Sequence, residues 1–215
     1  DLVILDVRMP ALKGPQVVQI LRSDRDLRSV PVVFYSSLDD STLRKLVQES
    51  GANGYLSKSL RAAELLAGPW RQRTNAACML GQSKTVHQSE IDAVCELVDF
   101  FRFNVEYARR ILEEQPISPP GTWNRAEYRP LEGFVLAVTP FNFSSIGVNL
   151  ACAPALLGNV VLWKPATTAA LAAWRALELL REAGLPDGVI SLIPGDGPEQ
   201  GEAALASKHL AGIHF

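Results

Sequence analysis

Cysteine and methionine are scarce in this sequence, with three and two of them in 215 residues. The cysteines, Cys78, Cys95 and Cys152, are odd in number, far apart and set among apolar neighbours. That excludes a disulfide framework and points to reduced core thiols in a cytoplasmic protein. A surplus of charge is missing too: a net charge of -2 with interspersed signs offers neither a basic stripe for nucleic acid nor an acidic tail. No run of about 18 apolar residues exists, and the opening DLVILDVRMP lacks the basic region and small-residue cleavage site of a signal peptide. Membrane insertion is therefore not expected. His87, His209 and His214 show neither zinc spacing nor a triad context, so no metal site is expected. An initiator methionine is also absent, and the chain opens inside an apolar run, so an upstream segment is expected.

What is present is globular composition, 47% apolar and 20% charged, enough for one large domain or two modest ones. LVILDV (2 to 7), VPVVFYSS (30 to 37) and GYLSK (54 to 58) are short continuous apolar runs, as parallel strands covered on both faces require. Between them, GPQVVQILRSD places Val17, Val18 and Leu21 on one side of a helix. DDSTLRKLVQESG does the same with Leu43, Leu46 and Val47, before Gly51 at a C-terminal cap. The order β-α-β-α-β predicts a small parallel doubly wound unit, in which ligands bind beyond the carboxyl ends of the strands. Asp6, Ser36 and Lys58 end the three strands. A carboxylate, a hydroxyl and an ammonium at one edge suit an anionic group bound to, or transferred onto, the carboxylate.

The texture changes at residue 60. RAAELLAGP reads as an amphipathic helix that could either close the first unit or open a second. SEIDAVCELVDFFRFNVEYARRIL carries apolar residues at 91, 94, 98, 101, 105, 108 and 112, which predicts one long helix, with Ser89 and Asp92 as a capping box at its start. PISPPG (116 to 121) breaks the chain. From Phe134 the pattern is β-α-β-α-β-α-β. FVLAVT, VVLWK, VISLI and GIHF read as strands, and SIGVNLACAPALLG, TTAALAAWRALELLREAG and PEQGEAALAS as crossover helices. In the second crossover helix Leu171, Trp174, Leu177 and Leu180 are expected to face the core, opposite Arg175, Glu178, Arg181 and Glu182. The result is a Rossmann-like parallel sheet. The glycines Gly195, Gly197 and Gly201 of PGDGPEQG miss the G-x-G-x-x-G spacing by one residue. TPFNF (139 to 143) sets Asn142 just past a strand end, where an exposed amide could donate to a developing oxyanion. Lys164 ends the next strand, where its ammonium could bind cofactor hydroxyls.

Two resemblances are carried by these motifs. LDVRMPALKG, PVVFYSS and GANGYLSKS resemble the later part of a two-component response-regulator receiver domain, over residues 1 to 59. That resemblance implies Asp6 as phosphoacceptor, Ser36 as the hydroxyl sensing the phosphoryl group, Lys58 as its charge partner, Tyr55 as the switch aromatic, and a histidine kinase as partner. The family's Mg²⁺-holding acidic pair is not among these residues, and Ser59 stands where the family has proline.

MLGQSKTVHQSEID, FFRFNV, WNRAEYRPLEGFVLAVTPFNFSSIG, GNVVLWKPA, EAGLPDGVI and HLAGIHF, in that order, resemble aldehyde dehydrogenases of the 1-pyrroline-5-carboxylate (glutamate semialdehyde) dehydrogenase branch. This second resemblance covers residues 60 to 215 and begins at the helix from Arg61. It implies NAD as cofactor, an aldehyde substrate, oligomers as a possibility, and oxidation of glutamate semialdehyde to glutamate in proline catabolism. It implies Asn142 as the catalytic oxyanion donor, and Thr139, Pro140, Phe141, Lys164, Gly197 and Gly201 as cofactor-binding residues. Thr167 stands where many relatives carry an acidic ribose ligand. The family's catalytic Cys and Glu follow the strand matching GIHF, and none of the three cysteines stands at the nucleophile's place. The expectation is thus a composite of two partial domains, without aldehyde turnover of its own. A signalling module acting through Asp6, or an inert scaffold, is the alternative.

Overall fold

The computed structural model describes residues 3–5, 7, 13–36, 40–57 and 61–215. It divides into two compact units, Asp1–Arg61 and Ala62–Phe215.

In the smaller unit, β1 (Val3–Leu5), β2 (Val32–Ser36) and β3 (Gly54–Ser57) pair in parallel in the order β1-β2-β3, with Val3 opposite Val32 and Phe34 opposite Tyr55. Helices α1 (Gly14–Ser23) and α2 (Asp40–Ser50) are the crossovers. Val18, Val32, Phe34 and Leu43 are fully enclosed, with Leu21, Leu46 and Val47 packed around them, so both helices turn an apolar face to the sheet, while Val17 of the expected stripe is half-buried outside that cluster. Gly51 ends α2 at φ +79°, a conformation that favours glycine. The Arg22 guanidinium donates to the carbonyls of Gly51, Arg28 and Val30 and to Asn53 Oδ1 at 2.9–3.1 Å. Asn53 Oδ1 also accepts from the Val32 amide at 2.8 Å, which fixes the entry to β2.

The larger unit begins at the second residue of α3 (Arg61–Ala67). Ala63 and Leu66 of this helix are buried, and they cluster with Trp70, Val94, Leu97 and the sheet residue Trp163. The helix whose membership the sequence left open therefore belongs to the second core. Trp70 locks the arrangement further, its indole N–H donating to the Glu182 carboxylate at 2.8 Å.

After α4 (Arg71–Gln82), the chain turns through Ser83, whose φ of 55° lies in the left-handed region, and enters α5 (Val86–Ser89). A π-helical turn (Glu90–Cys95) joins α5 to α6 (Glu96–Glu113). The long helical run exists, but it starts earlier than the sequence implied. Its cap is Thr85, whose hydroxyl accepts from the Gln88 amide at 3.3 Å while Gln88 Oε1 accepts from the Thr85 amide at 3.0 Å. Ser89 is already helical and fully buried, and Asp92 is committed elsewhere. The π turn also breaks the period of 3.6. Ala93, Val94, Leu97 and Val98 are buried, whereas Ile91 and Leu112 of the expected stripe are exposed.

The second sheet comprises β4 (Phe134–Thr139), β5 (Val160–Pro165), β6 (Ile190–Leu192) and β7 (Leu210–His214), all parallel in the order β6-β5-β4-β7. The strand order reverses beside β4. Helices α7 (Ser144–Leu156), α8 (Ala170–Glu182) and α9 (Gly197–Leu205) are the crossovers. Gly133, at φ +105°, admits the start of β4 against β7, because a Cβ there would lie 2.0 Å from the His209 carbonyl oxygen. In α8 the buried face is Ala172, Ala173, Ala176, Leu177, Leu179 and Leu180, while Leu171 and Trp174 are about two-fifths exposed. The expected apolar face is rotated because small alanines let α8 approach its neighbours closely, and the larger side chains move to its flank. Cys78 is buried, Cys152 half-buried and Cys95 exposed, so the expectation of core thiols fails at Cys95, which sits on the outer side of the π turn.

Candidate cofactor and active site

The carboxyl ends of β4 and β5 are tied together before any functional side chain appears. The buried Trp163 indole donates to Thr139 Oγ1 at 3.0 Å, and the Ala166 amide donates to the Thr139 carbonyl at 3.2 Å. Thr139 pairs with Pro165 in register, and Val138 with Lys164. Past this clasp Pro140, Phe141, Asn142 and Phe143 form a short turn into α7, whose amide at Gly147 donates to the Phe143 carbonyl at 3.0 Å. The first turn of α7 packs over Thr139, where a Cβ on Gly147 would stand at an ordinary contact distance of 3.5 Å. Asn142 and Phe141 are exposed and Pro140 is half-buried. A small apolar pocket behind the turn is lined by Thr139, Pro140, Phe143, Gly147, Trp163 and Pro165.

Lys164 is half-buried, and its ammonium donates to the Pro165 carbonyl at 3.2 Å. No carboxylate among the described residues pairs with it. Its Nζ lies 3.7 Å from where a Cβ on Gly197 would stand, so β5's lysine and the glycine heading α9 come together. Asp196 caps that helix by accepting from the Glu199 amide at 3.1 Å, and nothing crowds Gly201 one turn on. An unpaired ammonium beside a helix N-terminus is a donor-rich place, suited to sugar hydroxyls and phosphate oxygens. Those donors fit a nucleotide cofactor without the standard glycine spacing.

Burial pushes the Cys152 thiol up to about 12. Partial desolvation and the neighbouring Glu90 carboxylate raise the Cys95 thiol, so neither is poised as a thiolate nucleophile. His214 Nδ1 lies 2.9 Å from the Leu150 carbonyl. No cluster of three metal-ligating side chains occurs among the described residues.

In the smaller unit Ser36 is buried at the end of β2, and half-buried Tyr55 on β3 accepts from Arg44 Nε at 3.1 Å. Asp6 and Lys58 lie outside the described residues.

Four contacts around the turn are not legible in the sequence. Gln82 Nε2 donates to Ser144 Oγ at 3.0 Å, and Ser145 donates to Glu96. The Lys84 ammonium donates both to the Asp92 carboxylate and to the Asn142 backbone carbonyl. The sequence pattern instead assigns Asp92 to a capping box with Ser89.

A four-stranded parallel sheet with helical crossovers, a strand-order reversal beside β4, and an ammonium, a carboxamide and a helix start on elements at its carboxyl edge define the Rossmann-like class of α/β domain. Residues 59–215 match the model of the aldehyde dehydrogenase family, and the chain belongs to that family. Residues 1–68 match the response regulator receiver domain. The two matches overlap over residues 59–68, which contain the whole of α3, and burial of Ala63 and Leu66 assigns that helix to the larger unit.

The human mitochondrial delta-1-pyrroline-5-carboxylate dehydrogenase is 56% identical over 156 residues, which are 73% of this chain and 28% of that one. The delta-pyrroline-5-carboxylate dehydrogenase of Mycobacterium tuberculosis, solved with NAD bound, is 65% identical at a TM-score of 0.71, over 73% of this chain and 29% of its own. A 1-pyrroline-5-carboxylate dehydrogenase from Thermus with bound NAD is 28% identical at a TM-score of 0.65, over 72% of this chain and 30% of its own. The chain therefore spans less than a third of the length of these relatives. No helix among the described residues is long and apolar enough to cross a membrane.

Proposed function

We propose that residues 61 to 215 are the NAD-binding part of a dehydrogenase that oxidises glutamate 5-semialdehyde to glutamate, in the manner of the 1-pyrroline-5-carboxylate dehydrogenases they are similar to. The observation that carries this reading is the edge formed by β4, β5 and α9, where Lys164 and Gly197 meet and Asn142 follows the adjoining strand end. Lys164 would hold ribose hydroxyls, and Gly197, with Gly201 a turn later, would leave room for the phosphates at the start of α9. Thr139, Pro140 and Phe141 would form the wall toward the reacting end. The role of NAD is to accept hydride from the aldehyde carbon.

This chain contributes the groups that hold the carbonyl in place. As a nucleophile adds, the aldehyde oxygen gains charge, and the exposed Asn142 amide N–H₂ donates to it. A preorganised donor stabilises that charge more than it stabilises the neutral carbonyl, so it acts on the chemical step. Loss of one such donor typically costs about 10²- to 10³-fold in kcat.

The test is turnover in a fusion of this chain to the remaining catalytic part of the Mycobacterium tuberculosis relative. Asn142→Ala is expected to lower kcat by at least about 100-fold with little change in KM for NAD, whereas Lys164→Ala is expected mainly to raise it. An Asn142→Ala enzyme within about threefold of the parent in kcat would remove the oxyanion assignment.

For the smaller unit we infer a receiver-type role answering to a histidine kinase. Support comes from the family match over residues 1–68 and from Ser36 at a strand end beside the Tyr55 strand. Acetyl phosphate treatment followed by mass spectrometry tests it. Failure to form an adduct that Asp6→Asn abolishes would withdraw it.

A further inference from the structure

Asn142 is exposed, and an exposed side chain is only as well aimed as the backbone that carries it. Four features converge on that backbone through one side chain, Lys84. Ser83 is held in the left-handed region, the one non-glycine residue so placed among those described, and it aims the next residue, Lys84, back across the molecule. The π turn Glu90–Cys95 brings Asp92 to meet it, and the ion pair is largely buried, with the lysine side chain 13% and the aspartate 19% exposed. The Lys84 ammonium also donates to the Asn142 carbonyl. It lies 4.7 Å from the centre of the Phe143 ring, which closes the far side. The remainder of the π turn is anchored by Glu90, which accepts from Asn75 at 2.6 Å and pairs with Arg71.

We propose that Lys84 and Asp92 form a brace that positions Asn142. With its charge neutralised by Asp92, the ammonium is not a site for an anionic ligand, and its remaining task is to fix the peptide between Asn142 and Phe143. Fixing that peptide sets the direction in which the Asn142 side chain leaves the turn. Bulk burial could have been achieved by an apolar pair at lower cost, since removing two charges from water is expensive. What an apolar pair cannot supply is a directional donor to a single carbonyl. The strained Ser83 and the π turn are both needed to bring the two charges to that point. Lys84 is thus a positioning residue that acts through Asn142. The inference rests on the oxyanion reading for its purpose, but the brace itself can be tested without aldehyde or NAD.

The test is ¹⁵N relaxation on the intact chain, reading order parameters at the Phe143 backbone amide, which belongs to the braced peptide, and at the Asn142 side-chain amide. In the parent, the Phe143 backbone amide is expected near 0.85, the value of rigid structure, and in Lys84→Met it is expected to fall below about 0.6, with the Asn142 side chain loosening alongside it. Lys84→Arg, which can keep both the ion pair and the donor, is expected to restore it. Asp92→Asn frees one anchor of the brace and is expected to lower the order parameter as well. A merely structural lysine would lower the melting temperature while leaving the Phe143 and Asn142 values at those of the parent, and that result overturns the proposal. Should Lys84→Met not fold, Lys84→Gln and Asp92→Asn decide by the same readout. An ordered Phe143 amide in both would overturn the brace. Absence of NAD binding by the parent would count against the functional reading and leave the brace standing.

Discussion

Replacing Leu66 by alanine reads out directly which core owns the helix at the seam. Leu66 is fully buried in α3 and belongs to the cluster containing Trp70, Val94, Leu97 and Trp163. Truncating a fully buried leucine removes its transfer free energy and leaves a cavity, which together cost about 2.7–5 kcal/mol. With about 2–4 °C per kcal/mol for a domain of this size, the melting temperature of the larger unit is expected to fall by roughly 5–20 °C. All four tryptophans, at 70, 123, 163 and 174, lie in that unit, so tryptophan fluorescence during urea unfolding reports it alone. The control is Leu43→Ala, at a fully buried position in the core of the smaller unit. It is expected to leave the tryptophan transition in place while destabilising the unit that contains β1 to β3. A Leu66→Ala transition within about 0.5 kcal/mol of the parent, the range of surface substitutions, would refute the assignment of α3 to the second core.

Gly133→Ala is expected to destabilise the larger unit by several kcal/mol, on the order of 3 or more, because a Cβ cannot stand 2.0 Å from the His209 carbonyl and φ is +105°. Thermal unfolding checks it, and a loss below about 1 kcal/mol would contradict the close approach of β4 and β7. Alkylation at pH 8 should label Cys95 before Cys78 and Cys152, since Cys95 is exposed and burial holds the Cys152 thiol near 12. Peptide mass mapping decides the order, and early labelling of Cys152 would be the contrary result. Glu106 accepts from Arg109 and Arg110, which hold its carboxyl at about 2 rather than the ordinary 4.5. Because the folded value is lowered, this interaction is fully present above about 4.5 and is lost as the pH falls through about 2. A carboxyl ¹³C titration of Glu106 with a midpoint near 4.5 would show that the ion pairs of α6 do not form in solution.

Much of the larger fold was legible because its strands are continuous apolar runs and its crossovers carry strong helical periods. FVLAVT and VVLWK became β4 and β5 with nearly their expected bounds. The seam was harder, since RAAELLA has an apolar spacing that suits either neighbour, and only the burial of Ala63 and Leu66 beside Trp70 assigns it. Period-based reasoning failed at the π turn, where one altered hydrogen-bond register rotated Ile91 outward and drew Asp92 toward Lys84. It failed again in α8, where alanines rather than Leu171 and Trp174 form the close-packed face.

At the candidate site, the strand ends located Asn142 and Lys164, but not what holds them. Lys84 and Asn142 are 58 residues apart, and the buried clasp between Trp163 and Thr139 spans 24. Contacts of that kind depend on side-chain direction after folding. No local pattern encodes them.

The most direct test of the cofactor site is an NAD titration of the intact chain followed by amide chemical shifts. Saturable shifts are expected at Thr139 to Phe143, Lys164 and Gly197, with weaker affinity in Lys164→Ala and no shifts on the strands of the smaller unit. Shifts absent at saturating NAD, or confined to residues away from the β4, β5 and α9 edge, would contradict it.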